Sequence, residues 1–454
     1  MLTSINPYTG EKIAEYKELS KSKIKKKLKS ADKTFSEWRM SKFSRRRELL
    51  FNLAEVLRKN KTKYAEMITA EMGKPITQSK AEIEKCAWLC EYYAEEAENL
   101  LSKKVIETDA HKSYVTYEPI GVVLAVMPWN YPFWQAFRFA APAMMAGNVG
   151  VLKHASNVQG CAELIEEAFL EAKFPKGCFQ NLCISSKKVE RVIRSKYVKA
   201  VTLTGSGPAG SSVASIAGQE IKKSVLELGG SNALVVFEDA DLDETVQTCV
   251  QARFQNTGQS CIAGKRLLIH ESIYDEFVEK FLMEVRELKS GDPMDEETFI
   301  GVLAREDLAE DLEKQMNKSV KKGAKIILGG NRDQTYFEPT ILIDVKKKTP
   351  AFKEETFGPL MAITPFKTDV EAIDLVNASD YGLGVSVFTK DLDRAEAMIP
   401  HFDDGAVFIN ELVKSDPRLP FGGTKDSGYG RELSEDGIKE FVNRKTVYFK
   451  KIDG

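Results

Sequence analysis

The sequence predicts an α/β protein built on parallel sheets that helices cover on both faces. Short continuous apolar runs of strand length, such as residues 121–127 (GVVLAVM), alternate with stretches of helical period. The runs fall into two series, the second following Cys261, which predicts two α/β domains with a boundary just after Glu227. The chain has 454 residues, 43% of them apolar, enough for a large buried core. At about 150 residues per domain this length suggests two or three domains.

The first hundred residues read mostly as helix. Leu49, Leu53, Val56 and Leu57 recur at helical spacing, as do Ala65, Ile68 and Met72, and Gly73 and Pro75 then stop the helix. The basic run at 21–33 (KSKIKKKLKSADK) reads as the wet face of a helix that buries Ile24, Leu28 and Ala31. Residues 113–118 alternate like a strand. The first series of apolar runs is 121–127, 149–152, 200–203 and 233–237, with helices at 162–173 and 209–217 between them. The second is 266–270, 325–328, 362–366, 385–388 and 406–409. Residues 442–450 read as a lone strand, which needs a partner sheet and can find one in another subunit.

Charge and composition exclude several function classes. Lys plus Arg is 65 and Asp plus Glu is 67, a net charge of −2, which gives no field to draw in nucleic acid or an anionic membrane. No run of eighteen apolar residues predicts a membrane span. The opening MLTSINPYTGEK lacks the basic and apolar regions of a secretory signal. The seven Cys are odd in number and scattered, as expected of reduced thiols in a cytoplasm. None of the four His sits in a cluster with zinc spacing, so no metal is expected.

Four stretches can carry chemistry. Gly205-Ser206-Gly207-Pro208-Ala209-Gly210 fits a glycine-rich turn between a strand and a helix, where backbone N–H groups and the helix dipole favour a pyrophosphate. An ordinary βα turn reads the same way, and the dinucleotide fingerprint would make Glu227, about 20 residues on, a ribose ligand. Cys261, in Gly258-Gln259-Ser260-Cys261, is either a reactive thiolate or a small buried hydrophobe. Glu227, before Leu228-Gly229-Gly230, is either a general base raised by burial or a turn carboxylate. Pro128-Trp129-Asn130-Tyr131-Pro132 follows a buried strand, so Asn130 is either an oxyanion donor at the sheet's carboxyl edge or a turn cap.

Together these motifs resemble the aldehyde dehydrogenase superfamily. The shared order is Pro128-Trp129-Asn130, Lys153, 205–210, 227–230, 258–261, Glu355-Thr356-Phe357-Gly358-Pro359 and 420–432 (PFGGTKDSGYGRE), and it spans nearly the whole chain. Within the superfamily the chain looks most like the short bacterial and cyanobacterial succinate-semialdehyde dehydrogenases. The resemblance implies two Rossmann-like doubly wound α/β domains plus a small β oligomerisation element. It puts the dinucleotide-binding domain at 1–102 and 120–228 and the catalytic domain at 229–418. The oligomerisation hairpin falls at 103–119 and its strand at 440–454, pairing across subunits in a homodimer or homotetramer.

The resemblance also implies roles. Cys261 falls on the nucleophile, Glu227 on the general base rather than a ribose ligand, and Asn130 on the oxyanion donor. Trp129, Lys153, Ser156, Gly205, Ser206, Gly210, Leu228, Glu355 and Phe357 fall on the cofactor site. Many NAD-preferring members carry a Glu where Ser156 stands, so NADP is expected over NAD, since a carboxylate there would repel a 2′-phosphate. Arg138 falls where semialdehyde dehydrogenases bind a carboxylate, and a guanidinium suits an acidic-tailed aldehyde. Trp134, Gln255 and Ser415 complete the expected substrate wall, Gln255 standing where some members place a second Arg. A broad-specificity aldehyde dehydrogenase and a Cys-dependent hydrolase are the rival readings; the hydrolase would need a His beside Cys261.

Overall fold

The computed structural model describes residues 1–452; the last two residues of the expected 440–454 segment lie outside the described residues. A six-stranded sheet runs Gly428–Tyr429, Lys223–Glu227, Val198–Thr204, Val122–Met127, Val149–His154, Phe179–Asn181. Its members are parallel except Gly428–Tyr429, which returns from late in the chain to pair antiparallel with Leu226 and Glu227. Helices cover both faces, so Val122, Val123, Leu124 and Ala125 are all buried and the strand reads as one apolar run.

A seven-stranded sheet runs Lys325–Leu328, Thr340–Ile343, Leu360–Phe366, Gly264–His270, Asn232–Val236, Val385–Phe388, Val407–Ile409. Two strand expectations change here. The run at 233–237 joins this second sheet, pairing with Leu267–Ile269 and with 385–388, rather than extending the first series. The run at 325–328 is an antiparallel edge strand, paired with 341–343. Apolar content alone cannot tell a parallel central strand from an antiparallel edge.

The C-terminal strand Val442–Phe449 pairs along its length with Lys112–Pro119 of the same chain, and Lys104–Val105 completes this three-stranded sheet. The expectation that this strand pairs with the hairpin across subunits is therefore corrected: its hairpin partner is its own. The helical readings of the first hundred residues hold. Lys21–Trp38 buries Ile24, Leu28 and Ala31 beneath its lysines. Lys61–Met72 ends at Gly73, whose φ of 75° suits a residue without Cβ.

The register lines up the carboxyl ends of the first sheet. Met127 pairs with His154 and Thr204 with Glu227, so the turns after these strands gather on one edge. The loop ending in Cys261 faces that edge from the second sheet. No described helix is long and apolar enough to cross a membrane.

Candidate active site

The Cys261 loop is held in an unusual backbone shape. Asn256, Thr257 and Gly258 all have left-handed backbone, with φ of 55°, 54° and 71°. A β-branched residue there is strained and needs neighbours that over-determine it. Asn256 Nδ2 donates to the carbonyls of Asn130 (3.0 Å) and Gln259 (3.1 Å), and Gln78 Oε1 accepts from the Asn256 amide at 2.7 Å. Thr257 Oγ1 accepts from the Gly301 amide at 3.0 Å, and Gln259 Oε1 from the Ala304 amide at 2.9 Å. Asn130 Nδ2 donates to the Gln259 carbonyl at 3.1 Å, which ties the turn after the first sheet to this loop.

The glycines of Glu227-Leu228-Gly229-Gly230 make room for the loop. A Cβ on Gly229 would lie 2.4 Å from Glu355 Oε2, and one on Gly230 would lie 2.6 Å from the Cys261 carbonyl. Glu355 Oε1 accepts from the Gly230 amide at 3.0 Å and from Lys265 Nζ at 3.2 Å. Lys265 is buried and also donates to the carbonyls of Ser260 (2.8 Å) and Cys261 (2.7 Å). No sequence motif pointed to Lys265, although a Lys inside the apolar strand Gly264–His270 was a visible signal.

Cys261 stands between two cavities. One, of about 370 Å³, is lined by Trp129, Asn130, Gly205, Ser206, Leu228, Glu355 and Phe357 among others. These are most of the expected cofactor residues. Trp129 and Phe357 meet edge to face at 5.6 Å. Ser206 precedes the helix Gly207–Gln219 in extended backbone and makes no side-chain cap, which leaves the first-turn N–H groups open to an anion. Lys153, Ser156 and Gly210 lie outside this lining. Lys153 is the penultimate residue of the neighbouring strand Val149–His154, buried, and Ser156 is exposed beyond it. Gly210 instead serves helix-to-strand packing, because a Cβ there would lie 2.6 Å from Leu228 Cδ2.

The other cavity, of about 140 Å³, is lined by Lys85, Trp134, Arg138, Gln255, Ser415 and Phe421, among others, with Cys261 in the same wall. All the expected substrate residues are there. Arg138 differs from expectation in one respect. Its guanidinium is buried and its Nε edge is already paired with the buried carboxylate of Glu432, while its plane lies 4.3 Å from the Phe421 ring centroid. One edge of the guanidinium expected to meet an acidic-tailed aldehyde is thus occupied within the chain. Lys85 was missed by sequence reasoning, since a polar position on a long helix carries no signal of its own.

The electrostatics set the resting state. Burial pushes the Cys261 thiol up to about 11, against the pull of Arg138 and Lys265, so at neutral pH the thiol is protonated. Burial, followed by the neighbouring Glu432, holds the Glu227 carboxyl well above the usual carboxylate range. Neither Glu227 oxygen has a hydrogen-bond partner among the described residues. A buried carboxyl with free oxygens calls for a functional explanation. Glu227 forms part of neither cavity wall, and Oε1 would sit 2.8 Å from a Cβ on Gly422. The Cys261 amide donates to no acceptor among the described residues. Neither candidate His supports a hydrolase triad: His154 Nε2 is bonded to the Pro132 carbonyl at 2.9 Å, and His270 Nε2 to that of Lys367 at 3.1 Å.

Comparison with known proteins gives the family. A protein of Synechocystis sp. named probable succinate-semialdehyde dehydrogenase (NADP+) is 46% identical over 450 residues, covering 98% of this chain and 99% of its own. A succinate-semialdehyde dehydrogenase (NADP+) of Mycobacterium avium is 45% identical over 454 residues, 98% of this chain and 96% of its own. The crystal structure of succinic semialdehyde dehydrogenase from Streptococcus pyogenes in complex with NADP+ matches with a TM-score of 0.97 at 37% identity, over 99% of this chain and 100% of that one. The aldehyde dehydrogenase family pattern matches residues 1–447, and the chain belongs to the aldehyde dehydrogenase family.

Proposed function

We propose that this chain oxidises succinate semialdehyde to succinate with NADP+ as cofactor. The observation that carries the reading is the position of Cys261, at the junction of a cavity with cationic walls and a second cavity lined by a glycine turn, a carboxylate and two aromatic rings. The names of the similar proteins support the substrate and the cofactor. Absence of a carboxylate from Lys153-His154-Ala155-Ser156 supports NADP over NAD, because nothing there repels a 2′-phosphate.

The second cavity suits a dinucleotide. The open first turn after Ser206 would take the pyrophosphate, and Lys153 with Ser156 the adenosine ribose and its phosphate. Glu355, whose Oε2 has no hydrogen bond among the described residues, would take the nicotinamide ribose, with Trp129 and Phe357 beside it. When bound, NADP+ supplies the acceptor for hydride.

The chain's own residues do the rest. Cys261 loses its thiol proton to solvent water and, as thiolate, adds to the aldehyde carbon. The oxygen that gains charge is met by the second Nδ2 proton of Asn130, the first being held by Gln259, and by the free Cys261 amide. Loss of hydride from the tetrahedral carbon leaves a thioester on Cys261. Glu227, turned from Gly422 toward the sulfur and in its ionised form, takes a proton from water, which adds to the thioester and releases the acid and the thiolate. Arg138 and Lys265 favour the thiolate form by charge.

The open edge of the Val442–Phe449 strand, with Tyr448 and Phe449 exposed, supports a homo-oligomer, a dimer or a tetramer.

The test is initial rates at 340 nm with succinate semialdehyde and butanal, each with NADP+ and NAD+. The acidic aldehyde with NADP+ is expected to win at least tenfold in kcat/KM, about 1.4 kcal/mol of transition-state preference. Equal rates with butanal withdraw the substrate, and faster turnover with NAD+ withdraws the cofactor preference. Cys261→Ala should abolish turnover while NADP+ still binds; retained turnover would overturn the mechanism.

A further inference from the structure

The cavity on the substrate side of Cys261 has three cationic side chains in its wall: Lys85, Arg138 and Lys414. Arg138 is paired with Glu432, and Lys414 with Glu411. Lys85 alone meets no carboxylate at ion-pair distance among the described residues. Its Nζ donates to Ser415 Oγ at 3.0 Å and lies 4.5 Å from the centroid of the Trp134 ring. The acidic residue in the same wall, Glu82, is fully engaged. One oxygen takes the amides of Phe133 and Trp134, both at 2.9 Å, and the other takes Lys74. An ammonium that gives up much of its hydration without gaining a counter-ion carries a standing cost. A ligand that brings the missing negative charge repays it.

We propose that Lys85, seated on Trp134 and oriented by Ser415, is the group that binds the carboxylate of the substrate and sets the preference for acidic over neutral aldehydes. This deepens the proposed function and rests on it. Arg138, with its Nε edge held by Glu432, also acts on the sulfur by its charge. The geometry is suited to that division. Lys85 lies on the helix Ile76–Leu100, and Ser415 on the loop before Pro417, so the carboxylate end is defined by the meeting of two elements remote in sequence. Cys261 stands in the same cavity for the aldehyde end.

The free-enzyme titration of Lys85 gives a signature that a merely structural lysine would lack. Burial, then the like charge of Arg138, brings its ammonium down to about 8, against the pull of Cys86, Asp416 and Glu82; Trp134 and Ser415 add no titrating charge at this pH. Deprotonation removes the attraction for the carboxylate, so selectivity falls as pH rises through that value. The ratio of kcat/KM for succinate semialdehyde over butanal isolates this effect, because Cys261 and Glu227 serve both aldehydes alike.

The experiment measures that ratio with NADP+ from pH 6.5 to 9.5 for the full-length enzyme and for Lys85→Gln and Lys85→Arg. The wild-type ratio is expected to be high below pH 8 and to fall above it. Lys85→Gln, which keeps a donor for Ser415 but no charge, should lower the ratio at pH 7 at least tenfold, on the order of a hundredfold, mainly through KM for the acidic aldehyde. Lys85→Arg should recover most of the ratio and remove its fall near pH 8. A Lys85→Gln ratio equal to the wild-type value would overturn the assignment while leaving the proposed function intact. A wild-type ratio near one would instead overturn the proposed substrate, and this inference with it.

Discussion

Replacing Arg138 by Met tests whether its charge belongs to the protein or to the substrate. The guanidinium is buried, paired through Nε with Glu432 and stacked over Phe421 at 4.3 Å. Arg138→Met leaves the Glu432 carboxyl buried with only Thr202 Oγ1, at 3.5 Å, beside it. Breaking a buried pair costs about 3–5 kcal/mol, because the surviving charge is uncompensated. Glu432 can escape part of this by protonating, since burial already raises it, so the lower end, about 3 kcal/mol, is expected at pH 7. Glu432→Leu alone should cost a similar amount by stranding Arg138. The double variant Arg138→Met/Glu432→Leu removes both charges and should recover at least half of the summed loss. Urea unfolding followed by tryptophan fluorescence, at one protein concentration, reads all four proteins. Simple additivity of the two losses, or a single variant as stable as the wild type, would refute the pairing. The same loss of cation should raise the Cys261 thiol further and lower kcat for acidic and neutral aldehydes together.

Other expectations follow from individual contacts. Burial lowers His154 from 6.5 to about 4, so between these values the unfolded chain binds the proton that the native state refuses, and stability falls as pH drops. At about 1.4 kcal/mol per unit the loss is about 3 kcal/mol, and His154→Gln should flatten it in unfolding curves at pH 4 and 7. Alkylation of Cys261 by iodoacetamide, read by mass spectrometry, should rise steadily from pH 7 to 10 without a plateau, as expected of a thiol at about 11; a plateau near pH 8 would contradict that. Asn130→Ala should lower kcat about 10²- to 10³-fold through loss of an oxyanion donor, with NADP+ binding kept. Gly229→Ala should displace Glu355 and raise KM for NADP+ well before it alters the thiol's reactivity; unchanged KM would count against Glu355 as a ribose ligand. Ser156→Glu should raise KM for NADP+ at least tenfold and leave NAD+ nearly untouched, read from initial rates.

Much of this protein was legible in the chain. Residues 122–127 form a central strand because every side chain there is apolar, and the turns after Met127 and Thr204 carry Asn130 and Gly205 because Pro and Gly end those strands. Family motifs marked Cys261, Glu227 and Glu355 by local signature. Local signals could not assign 233–237 to its sheet, since a buried strand reads alike in either, or give the partner of 442–449, since a strand's edge says nothing of which chain it meets. The sequence by itself determined the elements, the family and the residue types gathered around Cys261, because those depend on periodicity and short-range turn chemistry. Only the tertiary structure decided that Arg138 is paired with Glu432, that Lys265 ties the Cys261 loop to Glu355, and that Lys85 reaches the cavity beside Cys261 without a counter-ion. Each depends on side chains up to hundreds of residues apart meeting where water is scarce, and burial rather than residue type fixes what such charges do.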